Sequence, residues 1–186
     1  MTVREALEAL ATEVQDELVI CTNGYIARSW CAIKDRPENF YMIGSMGLAS
    51  SISLGLASSQ PKRKVVAFDG DGAVLMALGA LPLATEMDTK NFYHVVLDNE
   101  AYASTGGQMT SSRKVELDQV ARASGYPRTF RVGQPNEVVT AYRELVSGPG
   151  PGFLLVKCEL DDRKADGRIP HTPTIITQRV MEAAQQ

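Results

Sequence analysis

Apolar residues recur along the chain at two spacings, one typical of helices and one typical of short buried strands. At the N-terminus, Thr2 and Glu5 form a capping-box pattern, and Leu7, Leu10 and Val14 follow at helical spacing. This pattern predicts an opening amphipathic helix. Five short apolar runs then predict buried strands, at residues 18–21, 65–68, 93–97, 129–132 and 153–156.

The stretches between these runs predict helices, at residues 46–57, 74–87, 117–124 and 136–146. Strands that alternate with helices predict an α/β fold, in which a largely parallel sheet is covered by helices on both faces. The length of 186 residues fits one domain, residues 1–186. Pro170 and Pro173 precede a possible last helix ending at Gln186, so we expect residues 161–186 to form a C-terminal arm.

The composition argues against nucleic-acid binding, a disulfide framework and a membrane span. The net charge is only −3, with both signs scattered along the chain, so no basic patch is predicted. The three cysteines are odd in number and lack CxxC spacing, which favours a reducing compartment. Glu5 and Glu8 interrupt the apolar N-terminal residues, which argues against a signal peptide. We therefore expect a cytoplasmic protein.

The string "VVAFDGDGAVLMALG" places two carboxylates among glycines where an apolar strand ends and a helix begins. Ligands of a parallel sheet lie beyond the carboxyl ends of its strands, where the next helix presents unpaired N–H groups. Gly70 and Gly72 would let a phosphate approach the main chain, but Asp71 would repel that phosphate unless a cation lies between them. This string therefore predicts a divalent metal, although the alternative is a tight turn in which Asp71 caps the helix.

A second oxygen ligand for such a metal is expected at the end of a neighbouring strand. Asn99 follows the apolar run at 93–97 and lies 28 positions after Asp71, which is about the length of one βαβ step. A further glycine-rich strand end occurs at "IGSMG". Each feature alone is compatible with an ordinary turn, whereas their combination favours a Mg²⁺ and phosphate site.

This combination resembles the thiamine diphosphate and Mg²⁺ fingerprint of the thiamine-dependent decarboxylases and synthases. The family usually has two asparagines at the end of the fingerprint, and here the first position is Asp98. The strings "KDRPENFYMIGSMGLASSISLGLA", "GDGAVLMALG" and "LDNEAYASTGGQ" resemble, more specifically, the β subunits of sulfopyruvate decarboxylases and the matching half of phosphonopyruvate decarboxylases. The resemblance covers residues 18–173 and implies the diphosphate-binding (PP) domain of the thiamin diphosphate-binding fold.

The resemblance implies a ligand set for both cofactors. Asp71, Asn99 and the carbonyl of Ala101 would bind Mg²⁺. The carbonyl of Gly44 would accept a hydrogen bond from the 4′-amino group of thiamine, and Met46 would be the wedge that bends the cofactor, although a core methionine is the alternative. The residues implied to contact the cofactor are Gly44, Ser45, Met46, Gly70, Asp71, Gly72, Ala73, Asn99, Ala101 and Tyr102.

Other polar residues have two open interpretations. The loop that carries Ser104, Thr105, Gly106 and Gln108 could bind an anionic group of the substrate or could simply cover the cofactor. Many relatives have Ser where Ala73 stands, so main-chain contacts must replace one hydroxyl. His94 lies inside an apolar strand and is expected to be a core histidine, whereas the position of His171 is compatible with a subunit interface or the rim of an active site.

The resemblance also implies the reaction and a partner. Thiamine diphosphate provides the electron sink that decarboxylation of a 2-oxo acid requires, and a glutamate activates it in this family. No position here matches the motif of that glutamate, so a pyrimidine-binding (PYR, α) subunit should supply it in a hetero-oligomer of at least two copies of each chain. We expect a β subunit that converts sulfopyruvate, a small anionic 2-oxo acid, to sulfoacetaldehyde and CO₂. The alternatives are a phosphonopyruvate decarboxylase subunit, a non-catalytic partner, or an acetolactate-type synthase fragment.

Overall fold

The computed structural model describes residues 1–161 and 166–185, and its core is a six-stranded sheet. All neighbouring strands of this sheet are parallel, in the order β2-β1-β3-β4-β8-β7. The strands are β1 (Leu18–Cys21), β2 (Asn39–Tyr41), β3 (Val65–Gly70), β4 (Phe92–Asp98), β7 (Arg128–Val132) and β8 (Gly152–Lys157). A short antiparallel hairpin adds β5 (Ala101–Tyr102) and β6 (Gln108–Met109). The predicted α/β class is confirmed.

Eight α-helices surround the sheet in the described part of the chain. They are α1 (Val3–Ala11), α2 (Tyr25–Lys34), α3 (Ala49–Ser59), α4 (Asp71–Met76), α5 (Ala80–Glu86), α6 (Leu117–Ala123), α7 (Pro135–Ser147) and α8 (Pro173–Ala183). Side chains of α1, α2 and α7 share one buried cluster with Val66 and Phe68 of β3. Those of α3, α5 and α6 share another cluster with Val65 and Ala67. Because successive strand residues point to opposite faces, the sheet is covered on both sides as predicted.

The sequence patterns did not predict the short hairpin of β5 and β6, and within the main sheet and its covering helices they missed α2 and β2. In α2, Ile26, Ala27 and Trp30 are buried, and their positions follow the spacing of an amphipathic helix. The pattern was therefore present, but the polar residues between these positions obscured it. Strand β2 has only three residues and forms an edge of the sheet, where a short run carries little apolar signal.

Two predicted helices have different bounds. The helix predicted at 46–57 begins only at Ala49, because Ser45 and Gly47 have φ of 57° and 91°, which are incompatible with a right-handed helix. The helix predicted at 74–87 is two helices, since Ala77 breaks it with φ −134° and ψ 40°. The first of them, α4, already begins at Asp71.

The C-terminal region packs on the edge of the sheet through α8. Ile176 is buried in the cluster that contains α1 and α2, and Arg179 donates to Asp35 Oδ1 at 2.9 Å. Residues 162–165 and Gln186 lie outside the described residues, so the extent of the predicted arm and the single-domain organisation stay predictions. Among the residues that are described, no helix combines the length and apolar character that crossing a membrane requires.

Candidate functional site

A cavity of about 380 Å³ lies at the carboxyl edge of β1, β3 and β4. Ten of the residues singled out from the sequence line it: Met46, Gly70, Asp71, Gly72, Ala73, Asn99, Ala101, Tyr102, Ser104 and Thr105. These residues come from three separate segments of the chain, at Met46, at 70–73 and at 99–105. The parallel topology brings them together, because it places the ends of all these strands on one side of the sheet.

Asp71 is a buried carboxylate at the floor of this cavity, only 2% exposed. The hydroxyls of Thr110 and Ser112 donate to its Oδ2 atom, Ser112 from 3.0 Å. Burial raises the pKa of Asp71, and the charge of Asp98 raises it further, against the opposing effect of the two hydroxyls. Within residues 1–161 and 166–185, no Lys, Arg or His forms an ion pair with Asp71. A buried carboxylate without a countercharge is a strong candidate cation ligand.

Asp98, by contrast, has its own countercharge. It is 1% exposed and lies opposite Lys157 in the register of β4 and β8. The Nζ atom of Lys157 donates to Asp98 Oδ2 at 2.7 Å and to Glu100 Oε1 at 2.8 Å. The two neighbouring carboxylates therefore differ, because Asp98 has a cationic partner whereas Asp71 has none in the described part of the chain.

Two consecutive turns orient the segment that follows β4. The amide of Glu100 donates to Asp98 Oδ1 at 3.1 Å, and the amide of Ala101 donates to Asn99 Oδ1 at 3.2 Å. Glu100 adopts a left-handed φ of 59°, which this pair of turns stabilises. In the hairpin, Thr110 N donates to Glu100 O at 2.9 Å, so Ala101 occupies the alternate position, whose N–H and C=O point away from the partner strand.

The Ala101 carbonyl therefore lies on the same side as its amide, which faces the Asn99 side chain. Asp71, Asn99 and the Ala101 carbonyl, hereafter the cation corner, each offer an oxygen atom, and all three residues line the cavity. This donor set and the unpaired charge of Asp71 fit Mg²⁺, which prefers oxygen ligands.

The "GSMG" segment is divided between two cavities. Met46 lines the main cavity, whereas Gly44 and Ser45 line a second cavity of about 200 Å³ with Pro173 and Ile176. Gly44 is exposed, with open space where a side chain would be. In the described chain, therefore, the structure joins Met46 to the cation corner but does not enclose Gly44 in the same cavity.

Tyr102 packs directly on the main chain of Gly72. A Cβ atom at Gly72 would lie 2.3 Å from Cε1 of the Tyr102 ring, so a glycine is required there. Gly106 and Gln108, which were grouped with the substrate loop, do not line the cavity. Instead, Gln108 exchanges hydrogen bonds with Thr105, each at 3.2 Å.

The sequence analysis did not predict that the residues following β1 belong to the site. Thr22, Asn23 and Tyr25 line the cavity, and Thr22 Oγ1 and Asn23 Oδ1 are buried without a hydrogen-bond partner among the described residues. Unsatisfied buried polar atoms at a cavity wall indicate a polar ligand. The signal in the sequence was Gly24, with φ 91°, which follows an apolar strand as the glycines at the other strand ends do.

The two histidines occupy different environments. His94 is 1% exposed and its Nε2 atom lies 3.3 Å from Asp69 Oδ2, so Asp69 serves the core and not the cation corner. His171, Asp35 and Cys31 form a cluster whose potential ligand atoms lie within 4.8 Å of one another. The guanidinium of Arg179 bonds to both Asp35 and His171 and so supplies the positive charge that a metal would bring.

Residues 21–156 match the family model described as thiamine pyrophosphate enzyme, C-terminal TPP binding domain. Over 122 residues, the chain is 48% identical to sulfopyruvate decarboxylase subunit beta of Methanothermobacter thermautotrophicus, covering 66% of this chain and 65% of that protein. It is 37% identical to the subunit of the same name from Methanococcus maripaludis, over 100% of this chain and 99% of that protein.

Two further comparisons concern longer proteins. The chain is 36% identical to phosphonopyruvate decarboxylase of Streptomyces hygroscopicus, over 97% of this chain and 45% of that protein. It therefore spans less than half of that relative. The 4-hydroxybenzoylformate decarboxylase of Rhodococcus jostii RHA1 superposes with a TM-score of 0.74 at 15% identity, over 88% of this chain and 33% of that chain. At this identity the likeness shows a shared fold.

Proposed function

The chain belongs to the thiamine pyrophosphate enzymes through their C-terminal TPP-binding domain, and from that premise we propose that it is the β subunit of a Mg²⁺-dependent 2-oxo acid decarboxylase acting on sulfopyruvate. The observation that carries this proposal is the cation corner. Its buried carboxylate has no cationic side chain beside it within the described ranges, and it lies where a diphosphate can approach glycine main chain.

In this proposal, Asp71 and Asn99 bind Mg²⁺ through their side chains and Ala101 binds it through its carbonyl. The amides of Gly72 and Ala73 lie in the first turn of α4, where N–H groups have no partner within the helix, and they would donate to the diphosphate. The hydroxyl of Thr22, which has no hydrogen-bond partner among the residues that the structure describes, is a further donor. Thiamine diphosphate, when bound, supplies the electron sink for the electron pair released as CO₂ leaves.

Met46 and Gly44 would orient the remainder of the cofactor. Met46 lines the same cavity as the cation corner, so its side chain can limit how far the cofactor extends across the cavity. The exposed backbone of Gly44 can accept a hydrogen bond from the 4′-amino group. Because these two contacts hold ring positions and not the diphosphate, they should affect turnover more than affinity.

A partner subunit is proposed to complete the site. Among the described residues, the one glutamate that lines the cavity is Glu159. Its side chain is 79% exposed and pairs with the amino terminus of Met1 at 3.3 Å, which does not suit it to activate a buried cofactor. We therefore assign the activating glutamate to a pyrimidine-binding chain, in an assembly with at least two copies of each subunit.

The surface beside Met46 supports such a partner. Residues 42–60 contain no charged side chain, and within this stretch α3 carries only aliphatic residues, serines and one glycine. Ile43, Leu48 and Met76 are 58%, 47% and 62% exposed. Large apolar side chains grouped in this way on a surface are typical of protein interfaces. The three free cysteines fit a cytoplasmic location, where thiols remain reduced.

The substrate is proposed from the relatives, with a second candidate. Sulfopyruvate is favoured because the relatives that are separate β subunits are named for sulfopyruvate, whereas the relatives in which this region is less than half of the chain include both a phosphonopyruvate and a sulfopyruvate decarboxylase. Ser104 and Thr105 line the cavity and are the candidates for contacting the second anionic group of the substrate.

Product analysis tests this function. The chain would be co-purified with its pyrimidine-binding partner and supplied with Mg²⁺, thiamine diphosphate and either sulfopyruvate or phosphonopyruvate. We expect sulfoacetaldehyde and CO₂ from the first substrate, and no product from an assembly that carries Asp71→Asn. Faster release of phosphonoacetaldehyde would favour the second candidate. Formation of a carboligation product, or no product from either acid, would contradict the proposal.

A further inference from the structure

A partly buried ion pair, between Lys157 and Asp98, lies directly beside the cation corner. Lys157, the last residue of β8, faces Asp98, the last residue of β4. We infer that Lys157 is an electrostatic positioning residue: its ammonium group neutralises Asp98, so that of these two neighbouring carboxylates only Asp71 contributes net negative charge at the cation corner. This inference deepens the proposed function and rests on it.

The charges around this pair balance in a specific way. Lys157 contacts the carboxylates of both Asp98 and Glu100, and Arg113 lies 3.6 Å from the second oxygen of Glu100. Two cationic and two anionic side chains therefore offset one another. Asp71 is left over as a single negative charge, which suits a site that must accept both a cation and an anion.

A hydroxyl couples the two aspartates. Ser112 Oγ lies 2.9 Å from Asp98 Oδ1 and 3.0 Å from Asp71 Oδ2, so the two carboxylate oxygens are within about 6 Å of each other. At this distance in a buried site, the charge of one group strongly affects the other. Removing the positive charge that neutralises Asp98 should therefore change the electrostatic potential at the cation corner.

The carboxylate of Asp98 also has a structural role, because it accepts hydrogen bonds within the turn that carries the proposed metal ligands. Its Oδ1 atom accepts from the amide of Glu100 and its Oδ2 atom accepts from Lys157, while Ser112 Oγ lies 2.9 Å from Oδ1 and has one proton to share between Asp98 and Asp71. This turn positions Asn99. Because Lys157 neutralises the carboxylate of Asp98, Asp98 can hold the turn without adding a second negative charge to the site.

The inference predicts opposite effects on two ligands. Without Lys157, Asp98 adds a negative charge beside Asp71, which should attract a free divalent cation more strongly and repel a diphosphate. A merely structural role would instead loosen the turn and weaken the binding of both ligands. The sign of the two changes therefore distinguishes the two roles.

The experiment measures both affinities by titration calorimetry on the full chain, with Mn²⁺ alone as one probe and inorganic diphosphate at saturating Mg²⁺ as the other. For Lys157→Met we expect Mn²⁺ to bind more tightly and diphosphate more weakly, each by about tenfold or more. Lys157→Arg should keep both affinities within about twofold, and Asp98→Asn combined with Lys157→Met should restore both. Lys90→Met, which removes an exposed Lys90–Asp88 pair, is the matched control and should change neither.

If Lys157→Met does not fold, Asp98→Asn alone tests the inference instead. In that variant Lys157 still has Glu100 as an ion-pair partner. Asp98→Asn should have the reverse effect, with weaker Mn²⁺ and tighter diphosphate binding. Parallel changes in both affinities, or no change in either, would overturn the inference. Failure of the proposed function is separately visible, because the assembled wild-type enzyme would then bind diphosphate but show no thiamine-dependent decarboxylation.

Discussion

Replacing Asp71 by Asn should make the metal-free protein more stable while it abolishes metal-dependent ligand binding. The wild-type carboxylate is buried, has a raised pKa and lies near a second carboxylate. Asn keeps the size and can still accept hydrogen bonds from Thr110 and Ser112. The substitution thus removes the charge and preserves the packing.

The size of the effect follows from the geometry of the two carboxylates. The contacts of Ser112 with both place the oxygens of Asp71 and Asp98 within about 6 Å, where two unit charges repel by about 3 kcal/mol at an effective dielectric near 20. Lys157 beside Asp98 cancels much of this repulsion. We expect a net gain of about 1–2 kcal/mol, or roughly 2–8 °C in melting temperature for a chain of this size.

The pH dependence of this gain has a defined sign. Because the folded-state pKa of Asp71 is raised, the carboxyl is neutral at low pH and its ionisation costs stability as the pH rises through that pKa. The advantage of Asp71→Asn should therefore be small under acidic conditions and should grow towards neutral pH.

The assay is thermal unfolding in the presence of a chelator, followed by Mn²⁺ titration of the same samples. Asp69→Asn is the matched control, since Asp69 is equally buried but lies beside His94; this change should lower the melting temperature or leave it unaltered. An Asp71→Asn protein that is less stable than the wild type without metal, or that still binds Mn²⁺ with wild-type affinity, would refute the reasoning.

Three other substitutions test separate parts of the account. Met46→Ala should lower kcat of the assembled enzyme more than it raises the dissociation constant of thiamine diphosphate, and equal losses would count against its orienting role. Gly72→Ala should cost about 1–3 kcal/mol in chemical denaturation because its Cβ meets Tyr102, and adding Tyr102→Ala should recover most of that loss. Burial alone would raise the pKa of Asp35, but hydrogen bonds from Arg179, His171 and Tyr41 outweigh it and lower the pKa. Asp35→Asn should therefore reduce the melting temperature at neutral pH, and the difference should shrink as the pH falls below about 4; a difference independent of pH would show that the charge of Asp35 does not anchor α8.

The sequence predicted the fold class and the centre of the site for the same reason. Buried parallel strands are continuous apolar runs, and the residues that follow them, such as Asp71 and Asn99, lie at one edge of the sheet whatever the details of packing. Short or edge elements such as β2, whose three residues carry little pattern, could not be found in this way.

Other features depend on three-dimensional register and could not be predicted. Lys157 lies 59 positions from Asp98, and only the pairing of β4 with β8 brings them together. Thr22 and Asn23 have ordinary polar side chains, and their importance becomes visible only because the fold buries their oxygens at the cavity wall with no partner in residues 1–161 and 166–185. The separation of Gly44 from the main cavity likewise reflects packing that no local pattern encodes.

The most direct test of the central claim is anomalous diffraction from Mn²⁺ in crystals of the assembled enzyme with thiamine diphosphate. The account predicts one strong peak per β subunit within coordination distance of the Asp71 carboxylate, the Asn99 amide oxygen and the Ala101 carbonyl, with the diphosphate on its open side. Mn²⁺ bound elsewhere, for example at Cys31, Asp35 and His171, with no peak at Asp71, would contradict it.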